Sequence, residues 1–158
     1  MNRGKTHFLK IAVILIGLTI LCLSIFYLPW LANETARMFP EYSYLQYPVL
    51  FGLYVTVIPF YFSLYQAFTL LLYIDENKAF SGEAVQRLIS IKKSAVLITL
   101  IYMAGIFFLA LQRAMHPGIG IIALVIMLTS VVIAVFASVL QQLLQQALQI
   151  KSENDLTV

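Results

Sequence analysis

The chain alternates between long apolar blocks and short polar connections. Four blocks contain no Asp, Glu, Lys, Arg or His, and they cover residues 11–31, 47–74, 95–111 and 119–140. About 20 apolar residues in a helix cross the hydrocarbon of a bilayer, because each residue adds about 1.5 Å. The pattern therefore predicts an all-α integral membrane protein, a four-helix bundle in contact with the lipid bilayer, and we expect residues 32–46 to form a surface loop.

Helices three and four should extend past the membrane, over residues 81–94 and 141–150. Ser81 is a suitable N-cap, and no Gly or Pro separates Glu83 from the third block. Apolar residues of the 141–150 extension recur at helical spacing, which predicts packing against residues 84–91, with a dimer or partner interface as the alternative. The pattern predicts an opposite, polar face made of glutamines: Gln141, Gln142, Gln145, Gln146 and Gln149.

Basic residues predict the orientation. The segments on the side of the two termini carry eight Lys or Arg, whereas the other two connections carry Arg37 and Arg113. Lys and Arg accumulate in cytoplasmic loops, so we expect both termini in the cytoplasm and the protein in a bacterial cytoplasmic membrane. The first block could alternatively be a secretory signal, but its apolar stretch is longer than the signal type requires and no Ala-x-Ala follows it.

Helix two is the most patterned part of the chain. At about 100° per residue, a set of small and polar residues shares one face: Gly52, Thr56, Pro59, Ser63, Gln66 and Ala67. Tyr54 and Tyr61 belong to an aromatic stripe on the other side. Small residues allow helices to approach closely in lipid, so the small face should point inward and the tyrosines should pack with local hydrogen bonds. A ligand groove lined by tyrosines is the alternative, and Pro59 should kink the helix.

Composition removes several classes of function. Hydrophobic residues make up 61% of the chain and charged residues 11%, against about 25% charged in soluble domains. The spans hold no ionisable group of the kind that ion-coupled transporters place in their interior. One Cys excludes a multi-cysteine site, and no catalytic motif is present. We therefore expect no enzyme activity, catalytic residue, cofactor or metal, and no direct nucleic-acid binding.

Three stretches carry a family resemblance. They are RGKTHFLKIAVILIGL with its FYLPWLA end, YPVLFGLYVTVIPFYFSLYQAF, and the segment DENKAFSGEAVQRLISIKKSA. In these stretches the chain resembles the bacterial YoaS-like membrane proteins, grouped as domain of unknown function 2975. The resemblance implies a four-span protein of the cytoplasmic membrane without assigned catalytic residues. It also implies a gene neighbourhood that often includes a small helix-turn-helix regulator.

We predict a non-enzymatic regulatory or interaction protein whose cytoplasmic platform binds a soluble partner, such as a helix-turn-helix regulator. The candidate partner-binding residues are Asn77, Phe80, Arg87, Lys92 and Gln145. Phe80 precedes a helix start, where it either packs on that helix or anchors a partner. The alternative is a small transporter, channel or lipid-handling protein that uses Gln66, Pro59, Tyr54 and Tyr61. A homo-oligomer is a further use of the same helices.

Overall fold

The computed structural model describes residues 3–156, which form long helices joined by short connections. The elements are α1 (Arg3–Cys22), a π-helical turn (Leu23–Tyr27), α2 (Leu28–Met38), a 3-10 turn (Pro40–Leu45), α3 (Gln46–Asp75), α4 (Gly82–Leu111) and α5 (Pro117–Leu156). Within residues 3–156, four stretches are long and apolar enough to span a membrane: Arg3–Met38, Pro40–Asp75, Gly82–Leu111 and Pro117–Leu156. The prediction of an all-α membrane bundle with four spans is therefore confirmed.

The helices pack mainly in chain order. Within residues 3–156, α3 packs against α1, α2 and α4, and α4 packs most extensively against α5. The bundle is thus open between its first and last spans, and large apolar side chains of α1 and α5 are exposed. Such exposure costs nothing in hydrocarbon, because lipid tails are as apolar as the side chains.

Consecutive spans run antiparallel and give the bundle two distinct ends. We call the end with Arg3, the α3–α4 turn and Leu156 the N/C side, and the end with the 3-10 turn and the α4–α5 turn the far side. On the far side, the Tyr42 hydroxyl donates to the carbonyl oxygen of Arg113 at 2.9 Å, and the Tyr44 hydroxyl donates to Gln112 Oε1 at 3.0 Å. These bonds hold the two far-side connections together.

The turns on both sides end helices in the same way. Asn77 and Arg113 have positive φ values of 58° and 56°. After α3, the N–H of Lys78 bonds the carbonyl of Tyr73, and Arg113 occupies the equivalent position after α4. This is the Schellman arrangement, whose left-handed residue is usually Gly and sometimes Asn. Asn77 therefore suits its position, whereas Arg113 carries backbone strain.

Most helix boundaries agree with the sequence, and two differ. Ser81 caps α4 by accepting a hydrogen bond from the N–H of Ala84 at 3.2 Å, as predicted. The expected surface loop over 32–46 is instead helical: α2 continues to Met38 and the 3-10 turn follows. The extension of the fourth helix also continues past residue 150, to Leu156. The loop expectation failed because residues 32–38 contain no helix breaker after Pro29, which suits the start of α2.

The contact between α4 and α5 follows a seven-residue repeat. Ala123, Ser130 and Ala137 are buried on α5, and Leu144 continues the row. A seven-residue repeat corresponds to 3.5 residues per turn, the spacing at which two helices stay in contact in a left-handed supercoil. The contact residues therefore drift away from the face that 3.6 residues per turn defines. Gln141 consequently lies on this contact with its amide oxygen buried and without a hydrogen-bond partner. The prediction that Gln141 lies on the polar face opposite the packing face is corrected.

Candidate functional site

Tyr54 and Tyr61 of α3 face the first span, in which a π-helical turn follows α1. In this turn one backbone carbonyl lacks its usual hydrogen-bond donor. The N–H of Leu28 bonds the carbonyl of Leu23, one residue further back than in an α-helix. The Ser24 carbonyl has thus lost its α-helical donor, and Pro29, the next donor position, has no N–H. The Tyr54 hydroxyl donates to the Ser24 carbonyl at 2.7 Å and fills this vacancy.

Tyr61 makes the equivalent contact two turns along. Its hydroxyl donates to the carbonyl oxygen of Gly17. A Cβ built at Gly17 would lie 3.6 Å from the Tyr61 ring, an ordinary contact distance, so a larger side chain at Gly17 would press on the ring. The two tyrosines named for a ligand groove therefore lie at the α1–α3 contact, with their hydroxyls bonded to backbone.

Gln66 and Arg87 bond each other across the α3–α4 contact. The Arg87 guanidinium donates from Nη1 to Gln66 Oε1 at 2.8 Å, and its carbon lies 5.9 Å from the centre of the Tyr65 ring. Gln66 is only 3% exposed, on the small face that also buries Thr56 and Pro59. Gln66, a candidate of the transport alternative, and Arg87, a candidate partner-binding residue, thus hydrogen-bond to each other between α3 and α4.

An ion pair joins α1 to α3 on the N/C side. Lys10 Nζ donates to Asp75 Oδ2, and both side chains are partly buried. Asp75 lies just past the second apolar block. The hydrogen bond from Lys10 lowers the pKa of the Asp75 carboxyl, partial desolvation opposes this shift, and a hydrogen bond from the fully buried Thr6 adds to the lowering. This corner of the bundle is built around an ionised Asp75.

Phe80 stands out on the N/C side because its ring is largely uncovered. It lies in the turn between α3 and α4, immediately before the Ser81 cap, and is 62% exposed. An open groove of ≈ 380 Å³ lies between the same two helices, lined by Tyr73, Glu83, Gln86, Arg87 and Ser90. An exposed aromatic ring next to a polar groove can bury apolar area and form hydrogen bonds with one partner.

The remaining partner-binding candidates lie on the N/C side with different surroundings. Asn77 is exposed and supplies the left-handed residue of its turn, Lys92 is partly exposed, and Gln145 is exposed on α5. Counting equal numbers of residues from the α4–α5 turn places Gln145 opposite the first turn of α4. Asn77, Phe80 and Gln145 therefore share one end of the molecule, while Arg87 is engaged with Gln66.

The groove on the N/C side presents hydrogen-bonding side chains. Among residues 3–156, no group of three or more His, Cys, Asp or Glu side chains is placed to hold a metal ion. The groove contains one carboxylate, Glu83, and one guanidinium, Arg87. Its polar groups are hydrogen-bonding side chains of the kind that orient a bound peptide or small polar molecule.

Comparison with known proteins decides the family. The profile of the family described as "Protein of unknown function (DUF2975)" matches residues 30–158. The chain belongs to this family. It is 58% identical over 160 residues to the "Uncharacterized membrane protein YoaS" of Bacillus subtilis (strain 168), with both chains covered fully. No solved structure matches the chain.

Two pairings between helices were not predicted from the sequence. Neither the Gln66–Arg87 bond nor the Lys10–Asp75 ion pair was expected, because each joins residues far apart in the chain. A weak signal existed for the second pair, since Lys10 and Asp75 are the charged residues that border their apolar blocks on the same side. For the missing backbone donor at the Ser24 carbonyl, the sequence held one signal: Pro29, near the end of the first block, has no N–H.

Proposed function

We propose that the N/C side faces the cytoplasm and serves as a docking platform for a soluble partner protein, without enzymatic activity. The orientation is supported by the positive-inside rule: eight Lys or Arg belong to the N/C side, and Arg37 and Arg113 to the far side. The four apolar helices and the membrane protein YoaS, to which the chain is similar, support a multi-pass membrane protein, and we propose that its membrane is the cytoplasmic membrane of a bacterium.

The exposure of Phe80 carries the proposal. A Phe ring in an aqueous turn loses favourable burial unless another surface covers it, and central aromatic residues often dominate the energy of protein interfaces. The adjacent groove offers Glu83, Gln86 and Ser90 for hydrogen bonds at the rim. We propose a helix-turn-helix regulator as the partner class, on the gene neighbourhood that the family resemblance implies.

The partner would engage the platform through Phe80, Asn77 and Gln145. Lys92 and the free donors of Arg87 would contribute charge-assisted hydrogen bonds at its edge. Because Arg87 is held by Gln66 and the Tyr65 ring, its guanidinium is already positioned before a partner arrives. Such preorganisation lowers the entropy lost on binding.

Site-specific photo-crosslinking in living cells tests this proposal. A photoreactive amino acid replaces Phe80 or Gln145 in the full chain, with the neighbouring helix-turn-helix regulator co-expressed. The matched control places it at Ile58, an exposed residue in the middle of α3. We expect covalent adducts with the regulator from the first two positions and adducts without protein from Ile58.

Adducts with lipid alone, or only with other copies of this chain, from Phe80 would contradict the proposal. A second measurement separates docking from folding. Phe80→Ala should leave the amount of protein in the membrane unchanged, because the ring is largely uncovered. The same substitution should reduce capture of the regulator about tenfold or more, as removal of a central interface aromatic does.

The transporter or lipid-handling alternative receives less support from the contacts. Interhelical hydrogen bonds engage the polar groups of Gln66, Tyr54 and Tyr61. Pro59 is buried on the same helix. A permeation path through this region would need those bonds to open. We therefore favour docking over transport as the function of the N/C side.

A further inference from the structure

The α5 helix is longer than the membrane and longer than its partner α4. Its 40 residues extend about 60 Å, whereas the hydrocarbon of a bilayer is about 30 Å thick and the whole bilayer about 40–45 Å. Helix α4, with 30 residues, reaches about 45 Å. The last ten or so residues of α5 therefore extend past both the lipid and the start of α4.

An apolar stripe runs down α5 into this projecting part. Its members alternate at spacings of three and four residues: Ile133, Phe136, Leu140, Leu143, Ala147 and Ile150. Leu143 is 57% exposed and Ile150 is 67% exposed. Counted from Pro117, Leu143 lies about 39 Å and Ile150 about 50 Å along the helix. Lipid tails cannot cover side chains at those positions.

The stripe is a face distinct from both the α4 contact and the proposed docking platform. The α4 contact uses Ala123, Ser130 and Ala137, which are buried. At about 100° per residue, Gln145 lies about 160° around the helix from Leu143. Five of its six members are exposed, and Ala147 is partly exposed.

We propose that the stripe is the contact between two copies of this chain, paired through parallel α5 helices about a two-fold axis normal to the membrane. Spacings of three and four residues are those of coiled-coil contacts. Two copies inserted with the same topology present the same stripe at the same depth, which satisfies the self-complementarity of a two-fold interface. Two helices in solution could pair at any relative height, because no membrane fixes their positions.

Charge favours a second copy over another partner. No Asp, Glu, Lys or Arg occurs between Pro117 and Ile150, so two identical helices approach without like-charge repulsion. Gln146 is uncharged and lies about 60° around the helix from Leu143, so it can hydrogen-bond to Gln146 of a second copy. A partner of unlike sequence would more commonly be selected by complementary charges.

Disulfide crosslinking in native membranes tests the pairing. In a Cys22→Ala background, Leu143→Cys and Ile150→Cys test the stripe, and Gln145→Cys is the control at nearly the same height on the opposite side of α5. On oxidation with copper phenanthroline, we expect most of the first two variants as dimers and Gln145→Cys as monomer. Monomer from both stripe variants would overturn the proposal in favour of another protein as the covering group. Equal dimer from all three variants would overturn it because the stripe would then show no preference.

The mass of the full chain in lipid nanodiscs gives an independent readout. We expect two copies per particle for the unmodified chain and one copy for Leu143→Gln combined with Ile150→Gln. Both side chains are exposed, so this variant should keep its helical signal and its amount in the membrane. One copy per particle for the unmodified chain would contradict the proposal. Docking at Phe80 uses another face, so the crosslinking there succeeds or fails independently.

Discussion

Replacing Tyr54 with Phe removes a single hydroxyl and leaves a carbonyl without any donor. The Tyr54 hydroxyl donates to the Ser24 carbonyl, whose usual helical donor, the N–H of Leu28, bonds Leu23 instead, and Pro29 has no N–H to replace it. A buried acceptor left unpaired costs about 1–3 kcal/mol, and no water in the hydrocarbon replaces the donor. We expect Tyr54→Phe to lower the free energy of unfolding by about 2 kcal/mol.

Tyr61→Phe is the matched control for this prediction. Gly17 lies within the regular part of α1, so its carbonyl keeps a backbone donor when the tyrosine hydroxyl is lost. Loss of the Tyr61 hydroxyl should therefore lower the free energy of unfolding by about 0.6 kcal/mol, the average for interhelical hydrogen bonds measured in a membrane protein. Pro29→Ala offers a second control, since it restores an N–H that can reach Ser24 and should reduce the effect of Tyr54→Phe.

The assay is reversible unfolding in mixed micelles, followed by circular dichroism as the fraction of sodium dodecyl sulfate rises. The prediction concerns the order of the variants: Tyr54→Phe less stable than Tyr61→Phe, and Tyr54→Phe partly rescued by Pro29→Ala. Equal losses for the two tyrosine variants, with no rescue by Pro29→Ala, would show that the Ser24 carbonyl does not depend on Tyr54 for its donor.

Three further predictions use the same unfolding assay. Arg113→Gly should stabilise the protein by about 1 kcal/mol, because glycine adopts the positive φ without strain; an unchanged or lower stability would contradict this. Gln66→Leu and Arg87→Leu should each destabilise, and the double variant should cost about 1–3 kcal/mol less than the sum, whereas strict additivity would argue against the bond. Because the pKa of Asp75 is lowered in the folded protein, its stabilising contribution should be present at neutral pH and be lost as the pH falls below about 4; Asp75→Asn should remove that part of the pH dependence.

The helices could be predicted from the sequence because their signals are local. A charge-free block long enough to cross a bilayer, such as 119–140, has few alternatives in lipid, where backbone groups must bond within the helix. Ser81 is likewise a local signal for the start of α4, because its side-chain oxygen accepts a hydrogen bond from the N–H of Ala84. Local signals of this kind set the four spans and the start of α4.

The contacts between helices could not be predicted from the same signals. Leucine prefers lipid and another helix about equally, so apolarity does not say that α1 and α5 remain apart. The Gln66–Arg87 bond depends on the relative height and rotation of α3 and α4, which no short pattern contains. Gln141 was misplaced for a related reason: a seven-residue contact with α4 brings it to the interface, although the local pattern assigns it to the polar face opposite the apolar residues.

The site was predictable as a region and not as a set of partners. The sequence points to the N/C side because Phe80 and Asn77 interrupt two apolar blocks there. The structure leaves Phe80 exposed as a free aromatic, while it gives Asn77 a backbone role that accounts for its presence without any partner. Side chains with a structural duty are poor guides to a binding surface, so Phe80 is the better position to test.

Docking of a cytoplasmic partner requires Phe80 to lie on the cytoplasmic side of the membrane. In a Cys22→Ala background, Phe80→Cys tests the N/C side, and Ser43→Cys tests the far side at an exposed position of the 3-10 turn. A thiol reagent that cannot cross the membrane is applied to intact spheroplasts and to permeabilised ones. We predict that Ser43→Cys reacts in both and that Phe80→Cys reacts only after permeabilisation. Reaction of Phe80→Cys in intact spheroplasts would contradict the proposed orientation and, with it, docking of a cytoplasmic partner.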